Sequence, residues 1–86
     1  MDLDLIQSSI DKSLKSMSII VDSIGFETEG KYKFLRIVLD KVGGLDLDTI
    51  VEATHIINPL VDKLDESDET YILDIVSKEI GSDKNG

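Results

Sequence analysis

The sequence predicts an α+β fold: a two-layer α-β-β-α-β domain with two helices packed on one face of a three-stranded sheet. Three observations carry this prediction. Apolar residues step by three and four from Leu3 to Ile24, they step by two through residues 32–40 and 71–77, and a second helical stripe separates those two stretches. A helix between two strands of one sheet favours a right-handed parallel crossover.

Each element follows in turn. Leu3, Ile6, Ile10, Leu14, Met17, Val21 and Ile24 lie on one helical face, so a first helix is expected over residues 2–23. Asp2 or Asp4 sits near its positive end, and Gly25 fits the left-handed stop position. Phe26-Glu27-Thr28 then forms a short first strand, joined by a tight hairpin at Glu29-Gly30-Lys31 in which Gly30 takes positive φ. In the second strand Leu35, Ile37 and Leu39 share one face, and Tyr32, Phe34, Arg36 and Val38 share the other.

Val42-Gly43-Gly44 breaks the second strand, and Asp46 or Asp48 caps a second helix. Its expected buried stripe is Leu47, Ile50, Val51, Thr54, Ile57, Val61 and Leu64, with a bend near His55 to Asn58 that absorbs Pro59. Asp65-Glu66-Ser67-Asp68-Glu69 reads as a polar loop. The third strand places Tyr71, Leu73 and Ile75 opposite Ile72, Asp74 and Val76. Residues 1–77 form the expected domain and residues 78–86 a frayed tail.

Composition narrows the function. With 86 residues, 41% of them hydrophobic, the chain holds enough apolar material for one small core and not for two. Eighteen Asp and Glu against nine Lys and Arg give a net charge of −9, which argues against charge-driven nucleic-acid binding and favours a basic protein partner. The absence of cysteine excludes disulfides and thiol chemistry. An acidic N-terminus without an apolar run of membrane length makes a soluble, cytoplasmic protein the expectation.

Motifs for catalysis are lacking. There is no Walker or Gly-x-Gly-x-x-Gly loop, and His55 is the single histidine, so neither a His pair for metal nor a nucleophile-base pair can form around it. The acidic run at residues 65–69 lacks the alternating ligands and central glycine of an EF-hand. The element order is similar to that of a KH module, yet no Gly-x-x-Gly clamp is present. Gly44-Leu45-Asp46-Leu47-Asp48-Thr49 comes close to the Asp-Ser-Leu motif of acyl carrier proteins, but no serine stands where the phosphopantetheine would attach. Ser23 is the nearest alternative.

Ser23-Ile24-Gly25-Phe26-Glu27, then Leu35-Arg36-Ile37-Val38-Leu39-Asp40-Lys41-Val42-Gly43-Gly44, then Leu47-Asp48 opening a helix, resembles the N-terminal domain of the RimP ribosome maturation factors. Tyr71-Ile72-Leu73-Asp74-Ile75 is similar to that domain's closing strand. The resemblance covers residues 20–77. It implies a non-enzymatic assembly factor for the small ribosomal subunit, needing no cofactor, metal, membrane or small-molecule substrate. The family typically appends an Sm-like β-barrel after a Ser-Pro-Gly hinge; here Ser77-Lys78-Glu79-Ile80-Gly81 stands instead, so the chain is expected to match the first domain alone. Its first strand is also expected to be several residues shorter than the family's.

Two sets of residues are then candidates for partner binding. Phe34, Arg36, Val38, Ile72, Asp74 and Val76 fall on the sheet face away from the helices, with an Arg36–Asp74 pair expected. Glu52, Asp62, Asp65 and Glu66 give the second helix and its following loop an acidic surface. The expectation is that this acidic surface meets a basic small-subunit ribosomal protein while Phe34 and Arg36 anchor it. The alternative is a freestanding adaptor that binds an unrelated basic protein.

Overall fold

The computed structural model describes residues 2–65 and 70–78. Helix α1 spans Leu3–Leu14 and is capped by Asp2, whose carboxylate accepts the Leu5 N–H at 3.1 Å. It buries Ile6, Ile10 and Leu14. A 3₁₀ turn at Lys15–Met17 follows, and Ser18, at φ 61°, reverses the chain into strand β1, Ile19–Glu29.

This corrects two expectations. The first helix ends at Leu14 rather than near residue 23, and β1 is a full strand of 11 residues in which Gly25 is an interior position, not a helix stop. The cause is a β-bulge between Val21 and Ser23. Ile19 and Val21 point into the core on one side of the bulge, and Ile24 and Phe26 on the other. The extra residue turns a step of two into the step of three between Val21 and Ile24, which imitates helical spacing.

Strand β2, Tyr32–Lys41, pairs antiparallel with β1, with Glu29 opposite Tyr32 and Phe26 opposite Leu35. Gly30, at φ +61°, makes the tight connection as expected. After β2, Gly43 and Gly44 both adopt positive φ, and the Gly44 N–H donates to the Lys41 carbonyl at 2.9 Å. Asp46 then caps helix α2, Leu47–Leu64, by accepting the Thr49 N–H at 2.8 Å. A hydrogen bond from the Thr49 side chain first, and this backbone one second, hold its carboxyl below the usual value. Asp48 lies in the first turn and does not serve as the cap.

The buried stripe of α2 also differs from expectation. Ala53, Ile57 and Val61 are buried, and Ile50, Ile56, Leu60 and Leu64 pack against them. Leu47 is 74% exposed and Val51 is exposed as well. Leu45, just before the cap, goes inward instead and flanks Ile50 in the manner of a hydrophobic staple. The small Ala53 at the centre of the contact shifts the buried face one residue away from the bulkier pattern. The Thr54 hydroxyl, half-buried, donates to the Ile50 carbonyl at 2.8 Å. The helix runs through Pro59 on its exposed side, where the bond lost by the His55 carbonyl faces water rather than core.

Strand β3, Ile72–Ser77, pairs parallel with β2, completing the sheet order β1-β2-β3. The core lies between this sheet and both helices. Leu35, Ile37 and Leu39 of the central strand reach zero exposure there beside Ile6, Ile10, Leu14, Ile57 and Val61. Each such side chain contributes roughly 1.5–3 kcal/mol of burial. The predicted α+β, two-layer arrangement with both helices on one sheet face is therefore present. Glu66 and the rest of the expected acidic loop, and all of the expected tail beyond Lys78, lie outside the described residues.

Candidate interaction face

Alternation along β2 divides its side chains between two environments. Leu35, Ile37 and Leu39 are buried beneath the helices, whereas Phe34, Arg36 and Val38 stand half-buried on the open face. Register adds Ile72, Asp74 and Val76 of β3, the direct partners of those three residues. On the opposite side β1 contributes Glu27, Gly25 and Ser23, partners of the same three.

Arg36 ties the three strands together. Its Nε donates to Asp74 Oδ2 at 2.9 Å, its Nη1 donates to Glu27 Oε1 at 2.6 Å, and its Nη2 lies 3.8 Å from Glu29 Oε2. The hydrogen bond to Asp74, reinforced by the charges of Glu27, Asp74 and Glu29, raises the guanidinium above its usual pKa despite some desolvation. Gly25 stands directly opposite Arg36, where even a Cβ would meet nothing within 4 Å, so the guanidinium has open space beside it on β1. The Arg36–Asp74 pair expected from the sequence is thus formed.

A second bridge closes the far end of the face. Lys78 Nζ, just past β3, lies 3.1 Å from Asp22 Oδ1 at the β1 bulge, and β2 runs between the two strands. The hydrogen bond to Asp22, with the charges of Asp22 and Asp40, raises the Lys78 pKa. Lys78 therefore lies across the sheet beside Val38 and Val76. Both bridges are solvent-accessible, so their value is organisational more than energetic.

The remaining candidates are elsewhere. Glu52 and Asp62 are exposed on α2, and Asp65 closes that helix with its N–H donating to the Val61 carbonyl at 2.8 Å. All three belong to the helix layer, on the other side of the sheet from Phe34 and Arg36. Asp65 also faces Tyr71: burial first, then the Asp65 carboxylate, pushes that phenol up to about 12. The Tyr71 ring meets Phe26 edge-on at 5.8 Å. Sequence reading thus combined residues from two opposite layers.

It also missed Glu27 and Glu29. Their signal was present in the hairpin: a two-residue connection at Gly30-Lys31 sets Glu29 opposite Tyr32 and Glu27 opposite Phe34, each on the face of Arg36.

His55 is exposed on α2, and among the described residues no group of three or more His, Asp or Glu side chains is placed to hold a metal. A shallow groove of about 460 Å³ runs between α1 and the start of β1, bordered by Asp11, Lys15, Ser18, Ile19, Ile20 and Val21. Ser23 lies in β1 within a mixed sheet, which contradicts the all-helical carrier alternative. No helix among the described residues is long and apolar enough to cross a membrane.

The family model for the RimP N-terminal domain matches residues 9–78. The chain belongs to the RimP family. The match begins within α1 and ends just after β3, so it covers the bulged β1, the Arg36 strand and the Gly43-Gly44 turn as one unit. It also extends the resemblance read from the sequence to the second half of α1. The open face bearing Phe34, Arg36 and Asp74 is accordingly a surface of a RimP N-terminal domain, and β1 is longer than the short strand at residues 26–28 expected from the sequence.

Proposed function

We propose that this chain is a non-enzymatic binding module that assists maturation of the small ribosomal subunit by holding a basic ribosomal protein. The observation that carries the reading is the RimP N-terminal match over residues 9–78; RimP proteins form a family of ribosome maturation factors. The net charge of −9, from eighteen acidic against nine basic residues, supports a protein contact over one with phosphate. Of the cations at the open face, Arg36 and Lys78 are already paired with carboxylates of the same chain, and Lys31 lies over the Tyr32 ring. Such a factor acts in the cytoplasm.

Co-sedimentation with salt-washed small subunits tests the reading. The expected result is binding to immature particles in preference to mature ones, with association that slows as salt rises. Equal binding to both particles contradicts an assembly role. A lysate survey that returns only non-ribosomal basic proteins favours the adaptor alternative.

A further inference from the structure

The open face is not uniform. Lys78 crosses it at one end, and Arg36 spans its middle and reaches toward the hairpin to Glu27 and Glu29, while at the hairpin itself Lys31 Nζ lies 5.8 Å from the Tyr32 ring centroid. There Tyr32 and Phe34 lie two residues apart on β2, and Ile72 is the register partner of Phe34. Neighbouring strands run about 5 Å apart, so these three side chains form one contiguous apolar patch. Tyr32 is 54% exposed and Ile72 46%. Grouped on one sheet face with Phe34, they leave apolar area that a partner can cover.

The carboxylates bordering this patch are its second feature. Glu27 and Glu29 on β1 stand directly opposite Phe34 and Tyr32, with side chains 51% and 65% exposed. Arg36 holds Glu27 closely at 2.6 Å but reaches Glu29 only at 3.8 Å, and both side chains stay accessible to a partner. Arg36 itself has its guanidinium committed to Asp74 and Glu27, so it positions the carboxylates rather than reaching for a partner.

We infer that the hairpin end of the open face docks a basic protein segment, with one apolar side chain of that segment seated on Tyr32, Phe34 and Ile72 and a lysine or arginine meeting Glu27 and Glu29. Charge complementarity selects this occupant. A second copy of the chain would bring the same carboxylates and another charge of −9 against the patch. The acidic residues that serve the anchor are then those of β1, not Glu52 and Asp62 across the molecule. This deepens the ribosomal reading by naming its contact, and rests on that reading for the partner's identity alone.

The test is an NMR titration of the labelled chain with a soluble Lys- and Arg-rich peptide carrying one leucine, beside a control peptide with serine in its place. Shifts centred on residues 27–34 and 72–74, larger with the leucine peptide, are expected. Tyr32→Ala with Ile72→Ser should weaken binding at least about fivefold at unchanged melting temperature, and Glu29→Lys should reduce its salt dependence. Leu47→Ser, an exposed leucine on the helix layer, should change nothing. Shifts confined to α2, no discrimination between peptides, or concentration-dependent self-association through the same amides each overturn the inference. Repeating the subunit sedimentation with the Tyr32/Ile72 variant separates the two claims. If the native chain and the variant bind subunits equally, the ribosomal reading stands and the docking site falls. If localised peptide binding occurs without subunit binding, the site stands and the ribosomal reading falls.

Discussion

Arg36 and Asp74 occupy the same register position on β2 and β3, and their side chains meet at 2.9 Å on the open face. The parallel pair is closed through a helix rather than a tight turn, so its register depends on side chains. A slip of one residue would send Leu73 and Ile75 to the open face and Asp74 into the core. Hydrophobic patterning resists that slip from within, and the ion pair resists it from outside.

Replacing Arg36 with Met removes the shared counter-charge and leaves Glu27, Glu29 and Asp74 near one another. The melting temperature should fall, and most at low ionic strength. Raising salt should narrow the gap to the native chain, because screening relieves the uncovered repulsion. Melting curves at two salt concentrations check this.

Asp11 performs a different task. Its carboxylate accepts the Val21 N–H at 2.7 Å, satisfying a backbone donor of edge strand β1 beside the bulge. Asp11→Ala should cost about 1–3 kcal/mol in denaturant unfolding, since the donor loses a charged acceptor. Amide exchange at Val21 should quicken more than exchange in β2.

Gly30 holds φ +61° at the hairpin. Gly30→Val should destabilise by about 1–2 kcal/mol, because Cβ branching disfavours that backbone region, whereas Gly30→Asn should be milder. The expected order, glycine above asparagine above valine, can be read from denaturation midpoints.

Tyr71 sets an alkaline limit. Its phenol is pushed up to about 12 in the folded chain against an ordinary value of 10.0. The unfolded chain therefore ionises first, and the contribution of Tyr71 is complete below pH 10 and lost as pH rises toward 12. Denaturation of the native chain and Tyr71→Phe across pH 8 to 12 should show the native chain losing stability more steeply above pH 10. Parallel curves would contradict the assignment.

Most of the architecture was legible because β2 and β3 alternate cleanly: Leu35, Ile37 and Leu39 against Phe34, Arg36 and Val38 give both faces and one ion pair directly. The region around β1 was not, because the bulge places Val21 and Ile24 three apart and Met17 extends the helical series through a 3₁₀ turn. The α2 stripe was misjudged where bulk stood in for burial, with Leu47 outside and Ala53 inside. At the candidate face, Phe34, Arg36, Ile72 and Asp74 share one surface as read. Glu52, Asp62 and Asp65 were grouped with them by charge, a property that carries no information about layers. Glu27 and Glu29 emerged only once the hairpin register joined β1 to Arg36.

The most direct measurement is the affinity of the chain and its Phe34→Ala variant for salt-washed immature small subunits at low and moderate salt. The account predicts saturable binding that weakens with salt, and a loss of about fivefold or more in the variant at a matched folded fraction. Absence of binding by the native chain at either salt would contradict it.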